Sequence, residues 1–312
     1  MLQTKLGVIQ LENPFILASG VLGVNAALML RIANAGAGAI TTKSIGLEPR
    51  EGYNNPTVVE LGGGNILNAM GLPNPGSKDF VEEIKEFKKQ SVKPIFASIF
   101  GKDCQEFCEV ARIINKAQPS AFELNISCPH GGKYGAIIGQ DSALVEEITR
   151  EVKQITKKPV FVKISPNLTD LSVPAEAALA GGADGIVVIN TLRAMAIDIT
   201  YRMPILANKF GGLSGPCIKP VALKCVFDLY AKFGKKVPII GVGGISSWQD
   251  VIEFFLAGAS AVQIGTALAY YGNVEQINLF SDFAEKIKTY LKQEGFTSIT
   301  ELIGLAHENL EM

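Results

Sequence analysis

Eight short, nearly unbroken apolar runs recur along the chain, separated by stretches of which several carry helical spacing. The runs are Phe15–Ala18, Ala39–Lys43, Pro94–Ile99, Phe122–Ile126, Val160–Ile164, Gly185–Asn190, Val237–Val242 and Ala261–Gly265. A strand with one wet face alternates apolar and polar residues. A strand covered on both faces does not, so these runs read as strands of a buried parallel sheet. Between them, Phe80, Val81, Ile84 and Phe87 share one stripe of Ser77–Gln90, and Cys104, Phe107, Cys108, Ala111 and Ile114 share one stripe of Asp103–Ala117. Leu144, Val145, Ile148, Val152 and Ile155 do the same in Ser142–Thr156. Ser247 and Asp250 fit a capping box ahead of Val251–Ala257, with Gly258 as the stop. Eight strand–helix units predict an α/β fold of the (β/α)8 TIM-barrel type, as one domain over residues 1–312. An open dinucleotide-binding sheet would carry GxGxxG after its first strand, and none stands there.

Composition removes whole classes of function. With 47% hydrophobic and 19% charged residues, the chain can bury a core and is not disordered. The 29 Lys+Arg and 30 Asp+Glu leave a net charge of −1, which offers no footprint for nucleic acid or an anionic membrane. The longest membrane-like stretch, Phe15–Leu30, is broken by Ser19, Gly20, Gly23 and Asn25, and Glu12 stands where a secretory signal needs positive charge. Five cysteines without a CxxC pair point to a reduced, cytoplasmic chain rather than a disulfide scaffold. Two histidines, His130 and His307, are too few for a His-rich metal site, and no metal is expected.

Three connections, Ser44–Ser77, Ser127–Asp141 and Thr191–Pro220, are too long for plain turns and follow the C-terminal ends of strands, where barrel enzymes build their sites. The strands themselves finish in polar or glycine residues: Ser19, Lys43–Ser44, Ser98, Asn125–Cys128, Lys163, Asn190–Thr191, Gly243–Gly244 and Gly265–Thr266. Eight such ends converging on one mouth make a polar pocket. The glycines after the seventh and eighth runs suit either a phosphate cradle or tight turns. Cys128, in Asn125-Ile-Ser-Cys128-Pro-His130, is either a nucleophile or proton-abstracting base, or a small buried hydrophobe. Lys43 and Lys163 can neutralise an anion, form a Schiff base or make a rim salt bridge. Asn68, Asn125 and Asn190 each offer amide donors and an acceptor, which suit a planar heterocycle.

Nine segments, in register from about residue 1 to 310, resemble the dihydroorotate dehydrogenases. They are Asn13–Gly20, Thr42–Ser44, Asn68-Ala-Met-Gly-Leu72-Pro-Asn-Pro, Asn125-Ile-Ser-Cys-Pro129, Val162-Lys-Ile, Ile189-Asn-Thr191, Gly211-Gly-Leu-Ser-Gly-Pro216, Gly241-Val-Gly-Gly244 and Ile264-Gly-Thr266. The stretch from Asn190 through Met195-Ala-Ile-Asp198 to Pro204-Ile-Leu-Ala-Asn208 is similar to the NAD-linked branch. The resemblance implies FMN over the barrel mouth, its phosphate on Gly243, Gly244, Gly265 and Thr266, with Ser19, Lys43, Ser44, Ser98, Asn125, Lys163, Ile189 and Gly215 along the flavin. It places Lys163 near the flavin N1/O2 edge. It implies a pyrimidine held by Lys43, Asn68, Ala69, Met70, Gly71, Leu72, Asn125, Asn190 and Thr191, with Cys128 as the base that converts dihydroorotate to orotate in pyrimidine biosynthesis. It further implies a homodimer, assembled with an FAD/iron–sulfur subunit into a heterotetramer that passes electrons to NAD. Two positions depart from the family pattern. His130 stands where the family has an asparagine that touches substrate, and Ser98 where it has an asparagine near the flavin. A related FMN barrel acting on another pyrimidine-like ring, and a flavin-free phosphate-binding lyase, are the alternatives.

Overall fold

The structure, a computed structural model, describes residues 1–127, 138–269 and 278–308. Eight parallel strands close into a ring: β1 Phe15–Leu17, β2 Ala39–Thr41, β3 Ile95–Ile99, β4 Ala121–Asn125, β5 Val160–Ile164, β6 Gly185–Val188, β7 Ile239–Val242 and β8 Ala261–Ile264. Each pairs with its neighbours in chain order, and β8 meets β1 through Val262↔Phe15, Gln263↔Ile16 and Ile264↔Leu17. The eight apolar runs are these strands, with ends displaced by at most two residues. Where a run outlasts its strand, as at Asn190 and Lys43, the extra residues leave the ladder to line the mouth.

Helices surround the ring: α1 Ala26–Asn34, α2 Ser77–Gln90, α3 Cys104–Asn115, α4 Ser142–Ile155, α5 Ser172–Ala180, α6 Lys219–Phe233, α7 Trp248–Ala257 and α8 Leu279–Gln293. Their stripes bury Phe80, Phe87, Phe107, Val145, Ile148 and Phe255 against the outward residues of the strands. Outward-facing Phe15, for example, meets Phe280 and Phe283 of α8 at ring separations of 6.1 and 6.2 Å. Helix α7 begins at Trp248 because Ser247 is its N-cap. The Ser247 side chain accepts from the Asp250 N–H, the Asp250 carboxylate accepts from the Ser247 N–H, and Gly258 stops the helix at φ 117°.

The inward face of the ring changes character along its length. Toward the strands' N-terminal ends it holds Ile16, Ala39, Phe96, Ala121, Phe161, Val187, Ile240 and Ala261, packed with Leu6, Ile9 and Leu11. The last three belong to a hairpin, Thr4–Leu6 paired with Ile9–Leu11, that stoppers this end. Thr4 Oγ1 fastens it by donating to the Ser260 carbonyl at 2.7 Å. The Phe96 and Phe161 rings stack inside, 5.5 Å apart. Fully burying each such ring contributes roughly 1.5–3 kcal/mol.

Two of the three long connections fold together over the other end. Val58–Gly62, Asn65–Asn68, Gly211–Ser214 and Leu192–Ala194 form a four-stranded antiparallel sheet that joins the insert after β2 to the insert after β6. Sequence periodicity did not reveal this sheet, because its partners lie far apart in the chain and its strands are short and half exposed. No helix among the described residues is long and apolar enough to cross a membrane.

Candidate active site

Two residues above the stacked phenylalanines, the inward positions turn polar. Lys163 on β5, Glu123 on β4, Gln263 on β8 and Thr41 on β2 meet inside the ring, and all are buried. Lys163 Nζ donates to Gln263 Oε1 at 3.0 Å and to Ser19 Oγ at 3.3 Å. Gln263 Nε2 in turn donates to Glu123 Oε2 at 2.6 Å and to Thr41 Oγ1 at 3.3 Å. Burial pushes the Lys163 ammonium below its ordinary range, and the Glu123 charge opposes that shift. Lys163 and Gln263 form the polar floor of a cavity of about 780 Å³ at the C-terminal mouth of the barrel, with Glu123 and Thr41 beneath them.

A second chain of hydrogen bonds runs along one wall. Ser98 and Ser44 hydroxyls lie 3.0 Å apart, Asn125 Nδ2 donates to Ser44 Oγ at 2.9 Å, and Asn190 Nδ2 donates to Ser127 Oγ at 2.8 Å. Asn190 Nδ2 also reaches Asn125 Oδ1 at 3.4 Å. These bonds fix which end of each amide faces the cavity, so the wall presents oriented donors and acceptors rather than freely rotating groups. Lys43 stands beside them, its Nζ 3.5 Å from the Gly20 carbonyl, and burial, with no carboxylate partner among the described residues, pushes its ammonium down. An anionic ligand would restore its charge balance. Asn68, Met70, Gly71 and Leu72 reach the same cavity from the overlying sheet and its following turn, in which Gly71 and Leu72 take left-handed backbone at φ 77° and 58°.

The opposite wall is backbone. Gly243 and Gly244, after β7, have φ 137° and 73°, and Gly215 has φ 111°. A Cβ on Gly243 would come within 2.7 Å of the Ala222 Cβ, and one on Gly244 within 2.8 Å of the Gly215 carbonyl and of Lys219. Only glycine lets these two loops approach so closely. The N–H groups of Gly243 and Gly244 are not taken by any hydrogen bond among the described residues, which suits them to an anion. Asp250 holds the loop from behind: it accepts from the N–H groups of Ser246 and Ser247 and from Lys219 Nζ, at 2.8, 2.8 and 2.7 Å. Burial alone would raise the Asp250 carboxyl, but these donors overcome it and hold it below the usual carboxylate range. A phosphate-bearing planar cofactor therefore fits the residues present, with a glycine cradle at one end and a lysine–glutamine floor beneath.

Most of the sequence-expected site residues line this one cavity: Ser19, Lys43, Ser44, Asn68, Met70, Gly71, Leu72, Asn125, Lys163, Ile189, Asn190, Thr191, Gly215, Gly243, Gly244, Gly265 and Thr266. Ala69 and Ser98 do not. Ala69 alternates away from its neighbours into the small core of Leu67 and Leu206, and Ser98 sits behind Ser44 and touches the cavity only through it. Cys128 and His130 lie outside the described residues. Glu123 and Gln263 were missed, although each interrupts an apolar strand with a polar residue at the inward period, and Ser127 was given no role beyond its place in the Asn125–Cys128 strand end.

Comparison with known proteins agrees with this geometry. The family model described as dihydroorotate dehydrogenase matches residues 1–291. A protein of Pyrococcus furiosus named dihydroorotate dehydrogenase B (NAD(+)), catalytic subunit, is 52% identical over 301 residues, covering 96% of this chain and 97% of its own. Proteins of the same name from Methanocaldococcus jannaschii and Methanosarcina mazei are 50% and 48% identical, covering 99% and 96% of this chain and 99% and 93% of their own. With a closed eightfold barrel, a mouth that gathers the expected motifs and relatives matched over nearly their full length, this chain belongs to the dihydroorotate dehydrogenase family, a flavin-dependent one.

Proposed function

We propose that the chain is an FMN-dependent catalytic subunit that oxidises dihydroorotate to orotate in cytoplasmic pyrimidine biosynthesis, with NAD as final electron acceptor. The observation that carries this reading is the union, in one cavity, of the Gly215, Gly243 and Gly244 cradle with the oriented amides of Asn68, Asn125 and Asn190 and the ammonium groups of Lys43 and Lys163. FMN, when bound, supplies the two-electron acceptor. Gly243, Gly244, Gly265 and Thr266 would hold its phosphate, and Ser19, Ser44, Lys163, Ile189 and Gly215 its ring system.

The chain's own residues account for the rest. Lys43 pairs with the substrate carboxylate, and the asparagine amides bond the ring's alternating carbonyl and N–H groups. Oxidation removes a proton from C5 and a hydride from C6, leaving a C5=C6 double bond. Cys128, as thiolate, takes the C5 proton. Because the Asn125, Asn190 and Ser127 side chains bond one another, the ring is gripped by a wall whose orientation is set before substrate arrives. The relatives' designation as catalytic subunits supports a separate electron-transfer partner, which we assign as an FAD/iron–sulfur subunit on a homodimeric core. Ile197, Ile199, Tyr201 and Met203, exposed on one two-stranded projection beside the mouth, support assembly with other chains.

The test is the visible spectrum of the purified chain before and after anaerobic dihydroorotate. Flavin bands that bleach support the reading, persistent bands point to a different ring as substrate, and a protein that stays colourless after soaking in FMN refutes it. Cys128→Ala is expected to keep its flavin and lose turnover by about 100-fold or more. Near-normal turnover removes Cys128 from the mechanism. The isolated chain is expected to reduce NAD⁺ only slowly without its partner, and rapid reduction would contradict the assignment.

A further inference from the structure

Glu123 is out of place in a barrel interior. It is 0% exposed, lies one inward step above the Phe96–Phe161 stack, and its Oε1 has no hydrogen-bond partner among the described residues. A buried carboxylate with an empty oxygen is costly unless an opposite charge compensates it. The cation within 4 Å is Lys163, whose Nζ is 3.8 Å from Oε1, too far for a hydrogen bond but close enough for strong attraction in a dry interior. Gln263 holds the two apart and ties them together. Its amide hydrogens go to Glu123 and Thr41, so its carbonyl is left facing the lysine. Lys163 thus spends one N–H on Gln263 and one on Ser19, and keeps a third for the cavity that it lines.

We propose that Glu123 and Gln263 are positioning residues that keep Lys163 a cation and point it into the cavity, so that a carboxylate which never touches the cofactor sets the electron affinity of the flavin above it. The proposal rests on the flavin reading given above. The arrangement explains why the ion pair is not direct. A carboxylate hydrogen-bonded to Lys163 would draw the ammonium down toward the phenylalanines, whereas one held back at 3.8 Å supplies compensating charge and leaves the donor free to face upward. Glutamine is the residue type that can make this spacer, since it accepts from the lysine and donates to the carboxylate at once.

The test is a cycle over E123Q, K163M and E123Q/K163M in the purified chain. It reads the sulfite dissociation constant by flavin bleaching and, separately, the midpoint of thermal unfolding. Sulfite addition places negative charge on the flavin ring, so it reports a nearby cation without turnover. E123Q keeps the shape of Glu123 but turns an amide donor toward the ammonium. It is expected to weaken sulfite binding by about tenfold or more, while the double variant stays within about threefold of K163M. E123Q is also expected to melt below E123Q/K163M, because the double variant carries no uncompensated charge. Parental sulfite affinity in E123Q, or losses that simply add, would overturn the proposal. If E123Q does not fold, the double variant decides: a folded protein supports the coupling, and an unfolded one assigns Glu123 to packing with Gln263 and Thr41 instead. If even the parent retains no flavin, the cofactor reading fails, and the unfolding midpoints still judge the Glu123–Lys163 coupling alone.

Discussion

The two ends of the barrel interior are built from the same strands and serve opposite purposes. On β5 the inward residues are Phe161 and then Lys163; on β3, Phe96 and then Ser98; on β8, Ala261 and then Gln263. A single step of two residues takes the chain from a dry, stacked, hairpin-stoppered core to a hydrogen-bonded floor. The lower half fills the ring with apolar side chains, and the Thr4 hydroxyl at its edge is satisfied by the Ser260 carbonyl. The upper half is organised around groups that a ligand completes. Stability and chemistry are thus separated by height along the strand rather than by domain or by loop.

This separation can be broken from either side. The largest effect is expected at the mouth: Gly243→Val forces a branched side chain into left-handed backbone and against Ala222, and should yield protein almost free of flavin yet still folded. Full flavin occupancy would remove the cradle from the site. At the floor of the dry half, Phe161→Ala should cost about 3–5 kcal/mol in urea unfolding through the cavity it leaves. Its flavin spectrum should stay close to the parent's, and a large spectral change would show that the two halves are not independent.

A smaller loss is expected from Asp250→Ala, about 1–3 kcal/mol at pH 7, since it removes the acceptor for two backbone N–H groups and Lys219. The Asp250 carboxyl is held below its ordinary value, so its contribution is full above the unfolded-state value and disappears as pH falls through the folded-state one. The gap between parent and variant should therefore narrow below about pH 4. A gap that is constant with pH would mean that the charge of Asp250 plays no part.

The dry half was the more legible from sequence. Continuous apolar runs are forced on strands buried from both sides, and the Ser247–Asp250 box and the Gly258 stop are local signals that need no partner. What escaped was whatever depended on distant partners. The Thr4–Leu6 hairpin is too short to show a period, α5 spreads its small apolar residues around the helix and so shows no stripe, and the sheet over the mouth pairs Asn68 with Gly212 across most of the barrel. In the polar half, the strand-end residues could be found because they follow apolar runs. Glu123 and Gln263 show only as polar interruptions of apolar runs, and burial on both faces hides the alternation that would have marked them as inward. Ala69 was grouped with its motif neighbours, and only the pairing of the strand before it shows that it faces away.

The stopper at the N-terminal end also carries a timetable. Thr4 is fastened to Ser260, β1 needs β8 as its second neighbour, and the Met1 carbonyl accepts from Ile299. Residues 1–17 are therefore made before the partners that secure them. At the usual 5–20 residues per second of synthesis, the hairpin and one edge of β1 wait roughly 10–50 seconds for their partners to leave the ribosome. A nascent chain stalled before residue 250 should accordingly be cut by protease within residues 1–11, while the released chain resists there. For this molecule, ring closure joins a segment made early to one made late.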